Sequence, residues 1–313
     1  RAVVQIHAVF PTAGTRRIRV MDCDGRPLSH QLLKARYLGR EKLYYKEVLM
    51  LVEAQVPSCG YTTIYIEPAA SGDDVVYPEP AVRVIENSRI RLRLGPAGIE
   101  GLEDRVNGAN YARAGNPIHY AVVDAWTYGG GPIVGTTVVS EARWRLIEQG
   151  PLRSTAEMNG RLGAHTVEMR VSLCHGLDVV DYDLTVNSEG GNGYFAANVP
   201  FEYAGNLSAG IPFGAESREL AHEPFGLAAG LERLREHVFF AHHWVDYSDG
   251  DKGLTLMAAE GKRGFRFEPQ KRSLDHILLM TMVPGGGENP NAEFKNPRFL
   301  HRFSQGTGRH RFQ

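Results

Sequence analysis

Cysteine is scarce: Cys23, Cys59 and Cys174 are the only three in 313 residues, odd in number, far apart and without a C-x-x-C pair. That pattern fits a reducing compartment, so a cytoplasmic location is expected, and it leaves no zinc-finger spacing. An excess of either charge is also missing, since 35 Lys+Arg stand against 36 Asp+Glu, for a net charge of −1. Nucleic acid and anionic membrane are therefore not expected as main partners, because both are bound by basic surfaces that neutralise phosphate. Long apolar runs are absent as well. The longest, Val48 to Val52, falls far short of the roughly 18 residues that cross a bilayer. No G-x-S-x-G, H-E-x-x-H or C-x-x-C signature occurs, and no His-rich tract is formed by the 12 histidines. The N-terminus, Arg1-Ala2-Val3-Val4, has neither an initiator Met nor the basic, apolar and small-residue succession of a signal peptide, which reads as a fragment.

What is present is a chain long enough for about two domains at roughly 150 residues each, with 42% hydrophobic residues to build a core. Glycine (35) and proline (17) punctuate short alternating runs, the mark of a β protein. Arg89 to Leu94 and Val167 to Leu173 alternate polar with apolar, as half-buried strands do. Val179 to Val186 follows the second run after Cys174-His175-Gly176, predicting a hairpin. Further strands are predicted at Ile18 to Val20, Tyr61 to Ile66, Ile118 to Val123, Thr136 to Ser140, Trp144 to Glu148, Gly253 to Ala258, Gly264 to Phe267 and Ile277 to Val283. Glu41 to Ala54 has helical propensity, but its all-apolar centre favours a strand buried on both faces. Leu227, Leu231, Leu234 and Val238 share one helical face and leave a short surface helix open. The break at Ser71 to Pro80 divides a small β module, 1–80, incomplete at its N-terminus, from a large β-sandwich domain, 81–313.

Candidate chemistry is sparse. Asp246 to Gly253 is oxygen-rich enough to suggest calcium, yet an Asp, Ser and Gly run between strands is first of all a hairpin turn. His242-His243-Trp244, behind Phe239 and Phe240, is the most suggestive cluster; adjacent histidines on a strand point to opposite faces, so the pair does not make one metal site. Surface histidine, sugar contact and zinc ligand are its readings, in that order. Asp22 with Asp24 reads as a turn, and Asp181 with Asp183 as a solvated strand face. The glycine clusters at 129–131, 190–191 and 285–287 lack the strand-loop-helix context of a nucleotide site.

Several stretches in order resemble the C-terminal β region of glycoside hydrolase family 38 α-mannosidases. Val56-Pro57-Ser58-Cys59-Gly60-Tyr61 with Ile64-Tyr65 resembles the segment that closes that family's first β domain, and Asp24-Gly25-Arg26 to Gln31 resembles one of its turns. Glu86-Asn87-Ser88 to Leu92, with Gly98-Ile99-Glu100-Gly101-Leu102 to Arg105, is similar to the opening of its large sandwich. Gly150-Pro151-Leu152-Arg153, Gly160-Arg161-Leu162-Gly163 and Trp244 to Gly253 continue the match, which covers Ile18 to Phe312. The resemblance implies a small β-sandwich-like module followed by a large galactose-mutarotase-like β supersandwich.

It also implies what this chain does not carry. In the family, the nucleophile and the zinc site lie in an N-terminal α/β domain, and no stretch here matches it. Retaining glycosidases need two carboxyl groups about 5 Å apart. No catalytic residue, metal ligand or cofactor is therefore assigned in this chain, and the implied partners are its own N-terminal catalytic domain and a mannoside or other carbohydrate. Tyr194, Phe201, His242, His243 and Trp244 are the candidate substrate-binding residues, the first two from the segment Asn192 to Phe201, read as a loop. A homo-oligomer is left open. The alternatives are a stand-alone carbohydrate-binding sandwich using platforms such as Trp126, Tyr128, Trp144 and Trp244, or a mutarotase-like sugar epimerase.

Overall fold

The computed structural model describes residues 2–10, 14–39, 43–70, 81–112, 116–123, 133–191, 193–218, 238–281 and 307–312. The expected boundary at 71–80, the amphipathic stretch from Leu227, Trp126, Tyr128 and the glycine clusters 129–131 and 285–287 lie outside these residues. Among the described residues every regular element is a strand, so the all-β expectation holds.

In chain order these are β1 (Ala2–Val9), β2 (Arg17–Met21), β3 (His30–Leu38), β4 (Tyr44–Ala54), β5 (Tyr65–Ala69), β6 (Val84–Glu86), β7 (Ile90–Gly95) and β8 (Gly98–Asp104). Then come β9 (Asn110–Ala112), β10 (Asn116–Val123), β11 (Ile133–Val138), β12 (Ser140–Glu148), β13 (Arg153–Leu162), β14 (His165–Cys174) and β15 (Val180–Ser188). The last are β16 (Gly193–Pro200), β17 (Asn206–Ile211), β18 (Gly214–Arg218), β19 (Val238–Ser248), β20 (Gly253–Glu268), β21 (Ser273–Thr281) and β22 (Gly308–Phe312). They gather into two compact units: Arg1–Arg89, Arg145–Glu157 and Val171–Asp181 form the first, and Ile90–Trp144, Met158–Arg170 and Tyr182–Gln313 the second.

In the first unit a three-stranded sheet, β1-β4-β3, faces the two-stranded β2-β5. Ile18 and Val20 of β2 close on Val48, Met50 and Val52 of β4, with Leu32 and Tyr45 completing a dry core. β4 is the middle strand, paired on both edges, and Leu51 on its other face is buried too. That two-sided burial explains the run of five apolar residues, which no amphipathic helix would carry. The expected strand from Tyr61 starts later, at Tyr65; Tyr61 itself is exposed.

Two buried amides hold the backbone of this unit. Leu152 and Arg153 donate their N–H groups to Gln31 Oε1 at 3.0 and 2.8 Å, while Gln31 Nε2 donates to Arg153 O at 2.9 Å. Asn87 Nδ2 donates to Cys174 O (2.7 Å) and Leu177 O (2.9 Å), and Asn87 Oδ1 accepts from Arg89 N (2.7 Å). Each buried amide thus engages three backbone groups at once.

In the second unit a large sheet runs β18-β17-β19-β20-β21-β16-β10-β8-β7, and residues 158–170, 182–188 and β22 are the part of a five-stranded sheet, ordered β12-β13-β14-β15-β22, that belongs to this unit. The expected hairpin of β14 and β15 is present, its turn carrying Gly176 at positive φ. The two sheets meet in a sandwich-like arrangement. The ring of His165 on β14 packs 4.8 Å from both Tyr120 and Phe195, and Tyr182 on β15 lies with its hydroxyl 3.1 Å from His276 Nδ1. An aromatic core of Phe201, Tyr203, Tyr247, Phe265 and Phe267 lines the same inner face of the large sheet. Trp144 is buried as well, its indole N–H donating to Gly95 O at 2.8 Å, which makes it a core residue and not a sugar platform.

Two expectations are corrected here. The segment 193–201 is not a loop: β16 is a central strand between β10 and β21, so tightly held that a Cβ on Gly193 would sit 2.1 Å from Ala121 O. Gly253 to Ala258 and Gly264 to Phe267 are parts of one strand, β20, interrupted by a bulge. Met257 opposes Trp244 and Lys262 opposes His242, so residues 258–261 face His243 alone.

Candidate functional site

The site is assembled on the outer face of β16, β20 and β21. Asn198, Asp275 and Arg266 fall in one cross-strand row, because Asn198 opposes Asp275 and Asp275 opposes Arg266. Directly opposed residues share a face. Their neighbours Leu274, Phe265 and Phe267 face the aromatic core, so alternation sends the polar row outward.

Arg266 is the hub. Its Nη1 donates to Tyr194 OH at 3.3 Å, lies 2.9 Å from Glu268 Oε1 and stands 4.0 Å from Asp275 Oδ2. Asn198 Nδ2 donates to Asp275 Oδ1 at 2.7 Å and to Ser273 Oγ at 3.2 Å, and Lys271 Nζ reaches Glu268 Oε2 at 2.6 Å. Asp275 is only 5% exposed, so its charge rests on these partners. Burial works against the Arg266 charge, but Tyr194, Glu268 and Asp275 outweigh it and hold the guanidinium above its ordinary pKa. Burial, followed by the nearby Asp275, pushes the Tyr194 phenol up to about 12. An open groove of about 420 Å³ lies beside this row, lined by Asn198, Pro200, Gln270, Lys271 and Ser273.

Chemically, amide, ammonium and hydroxyl groups along a groove suit hydrogen bonding to a hydroxyl-rich ligand. Glu268 and Asp275 do not form a nucleophile and acid pair: both carboxylates are turned onto the same guanidinium, whereas a general acid must stay protonated. Among the described residues, no three His, Cys, Asp or Glu side chains gather where they could hold a metal ion.

The five predicted residues fall in three places. Tyr194 joins the Arg266 network. Phe201 is fully buried in the aromatic core, 4.4 Å from Tyr247 between ring centroids. His242, His243 and Trp244 lie on β19, where the bulge gives His243 a φ of 64° and leaves it exposed, with His242 and Trp244 half-buried. Trp244 lies over Gly210, where a Cβ would come within 2.3 Å of His242 O and 2.9 Å of the indole nitrogen; only glycine fits there.

These places are linked. The Phe240 ring and Ile277 close over Gly264, and Ile277 packs with Tyr194 and Ala196. A strip thus runs along one face from Tyr194 to Phe240, which is 51% exposed, and on to His242 and Trp244, whose cross-strand partner Met257 is 62% exposed. Asp246 continues that face, accepting from Ser248 Oγ and Thr255 Oγ1, each at 2.7 Å. The Asp246 to Gly253 stretch is the hairpin turn expected: Asp249 Oδ1 accepts from the N–H groups of Asp251 and Lys252, which hold its carboxyl below the usual range.

Sequence reasoning missed Asn198, Arg266, Glu268, Lys271 and Asp275. The one available signal was the alternation Arg266-Phe267-Glu268, with charged positions on a single face of a strand.

The sequence matches no protein-family model and no curated protein. The fold does match solved structures. An α-mannosidase from Enterococcus faecalis V583 superposes with a TM-score of 0.68 at 12% identity, over 99% of this chain and 40% of that one. A protein in glycosyl hydrolase family 38 from Enterococcus faecalis gives 0.67 at 12% identity, over 99% of this chain and 41% of that one. This chain therefore has the fold of part of those proteins and spans about two fifths of their length.

Proposed function

We propose that this chain is the non-catalytic β portion of an α-mannosidase-like glycoside hydrolase of family 38, with a large domain of the galactose-mutarotase-like supersandwich type. It buttresses an N-terminal catalytic domain and helps shape a carbohydrate site with the face that carries Tyr194, His242 and Trp244. The observation that supports this reading is the fold match over 99% of the chain at only two fifths of the neighbours' length. The half-exposed strip of Phe240, Trp244 and Met257 is an apolar surface of the kind that a neighbouring domain or a sugar ring covers. In this reading the nucleophile and the zinc ion belong to the catalytic domain.

The test is hydrolysis of an aryl α-mannoside by the purified, folded chain, with and without added zinc. No turnover in either condition is expected; zinc-dependent turnover overturns the reading. A stand-alone carbohydrate-binding role is the second reading, favoured by the pairing of Trp244 with Met257 beside the hydrogen-bonded Asp246. Mannoside binding by the isolated chain, abolished in a folded Trp244→Ala variant, would select it over the buttressing role.

A further inference from the structure

A second concentration of chemistry lies on the five-stranded sheet, away from the face described above. Along β14 the buried residues His165, Val167 and Met169 alternate with Thr166, Glu168 and Arg170, which therefore face outward. On β22 Arg309 and Arg311 are exposed, and across to β15 Arg311 opposes Thr185 while Arg309 opposes Asn187. Glu168, Arg170, Asp183, Thr185, Arg309 and Arg311 line a pocket of about 110 Å³, room for several water-sized groups.

The cations are not equally engaged. Arg170 lies 3.1 Å from Glu168, and Arg311 forks onto Asp183, with Nε at 2.8 and 3.1 Å from its two oxygens and Nη2 on the second. Arg309 makes no ion pair among the described residues. Three guanidiniums against two carboxylates leave the pocket with a net charge of 3 − 2 = +1. Thr185, 5% exposed, adds a hydroxyl that bonds to nothing else among the described residues.

We propose that this pocket binds a small tetrahedral oxyanion, phosphate or a phosphomonoester, with Arg309 as the principal ligand and with Arg170, Arg311 and Thr185 completing the cradle. Guanidinium N–H groups match such oxygens in fixed, paired geometry. Asp183 acts through Arg311 by orienting its fork. Three arginines and a hydroxyl converging from β14, β15 and β22 offer donors out of one plane, which suits a tetrahedral anion better than a planar carboxylate. A pocket about a quarter of the size of the Asn198 groove, lined by charged and hydroxyl groups with no aromatic ring, suits the anion itself.

The experiment is calorimetric titration of the purified chain with inorganic phosphate at low chloride, beside Arg309→Ala, Glu168→Gln and, as a control, Lys46→Ala. Arg309→Ala should weaken binding at least tenfold and Glu168→Gln should tighten it several-fold by removing a like charge, with Lys46→Ala unchanged. A hexose 6-phosphate titrated in parallel separates the sources: tighter binding than phosphate marks a phosphomonoester site, equal binding a free-anion site. No measurable phosphate binding, or equal affinity in wild type and Arg309→Ala, overturns the proposal.

Discussion

The two units differ in core and in what adjoins their polar groups: each buries an ionised carboxylate, Glu157 against Arg145 in the first and Asp275 near Arg266 in the second, but an open groove lies beside the second. In the first, Gln31 and Asn87 are neutral amides, each tied to three backbone groups of its own unit, and the core around Val48, Met50 and Val52 is largely aliphatic. In the second, the core is aromatic and the outer face of the large sheet carries an ionic row, with Arg266 between Glu268 and Asp275 beside a groove. A neutral amide that satisfies backbone has spent its hydrogen-bonding capacity and serves the fold. In the second unit Asn198, Gln270, Lys271 and Ser273 instead line an open groove that solvent molecules reach, which makes that face the candidate site.

The comparison can be broken most decisively at Arg266. Arg266→Ala removes the guanidinium that faces both Glu268 and the buried Asp275 carboxylate and should cost about 3–5 kcal/mol, read as a fall in the urea midpoint. A loss below that of the neutral clamps would mean that the ionic row is solvated and the contrast is false. Asn87→Ala takes the amide partner from two carbonyls and one N–H in a part-buried setting and should cost about 1–3 kcal/mol, by the same measurement.

Smaller effects follow from titration. Burial holds His165 below its ordinary pKa, so the unfolded chain binds the proton more readily and stability should decline as pH falls below about 6.5. His165→Phe should flatten that acid limb in thermal melts. At the other end, Tyr194 ionises near 12 in the folded chain against 10.0 for an ordinary phenol, so the unfolded chain loses its proton first and stability should fall between pH 10 and 12. Tyr194→Phe should make the alkaline limb shallower.

Some of this was legible in the residues. Val48 to Val52 could be recognised as a strand because an unbroken apolar run needs two covered faces, and β4 is covered on both. Asp249 and Gly250 announced their hairpin through side-chain capping and a positive φ of 98°. Segment 193–201 misled because Ala196, Ala197 and the aromatics beside them are buried or nearly so on both faces, which erases the alternation that marks a strand. Phe201 was taken for a ligand contact, and no local feature distinguishes an aromatic destined for the core from one at a surface.

Sequence alone determined that the chain is all-β, that β4 is a central strand and that residues 249–252 turn, because alternation, two-sided burial and turn capping act over a few neighbouring residues. Tertiary structure alone decided which polar groups meet. Asn198 and Asp275 are 77 positions apart, and Tyr194 and Arg266 are 72 apart. Strand order and register brought them to one face, and both are set by packing across the whole sheet, which no short window of residues contains.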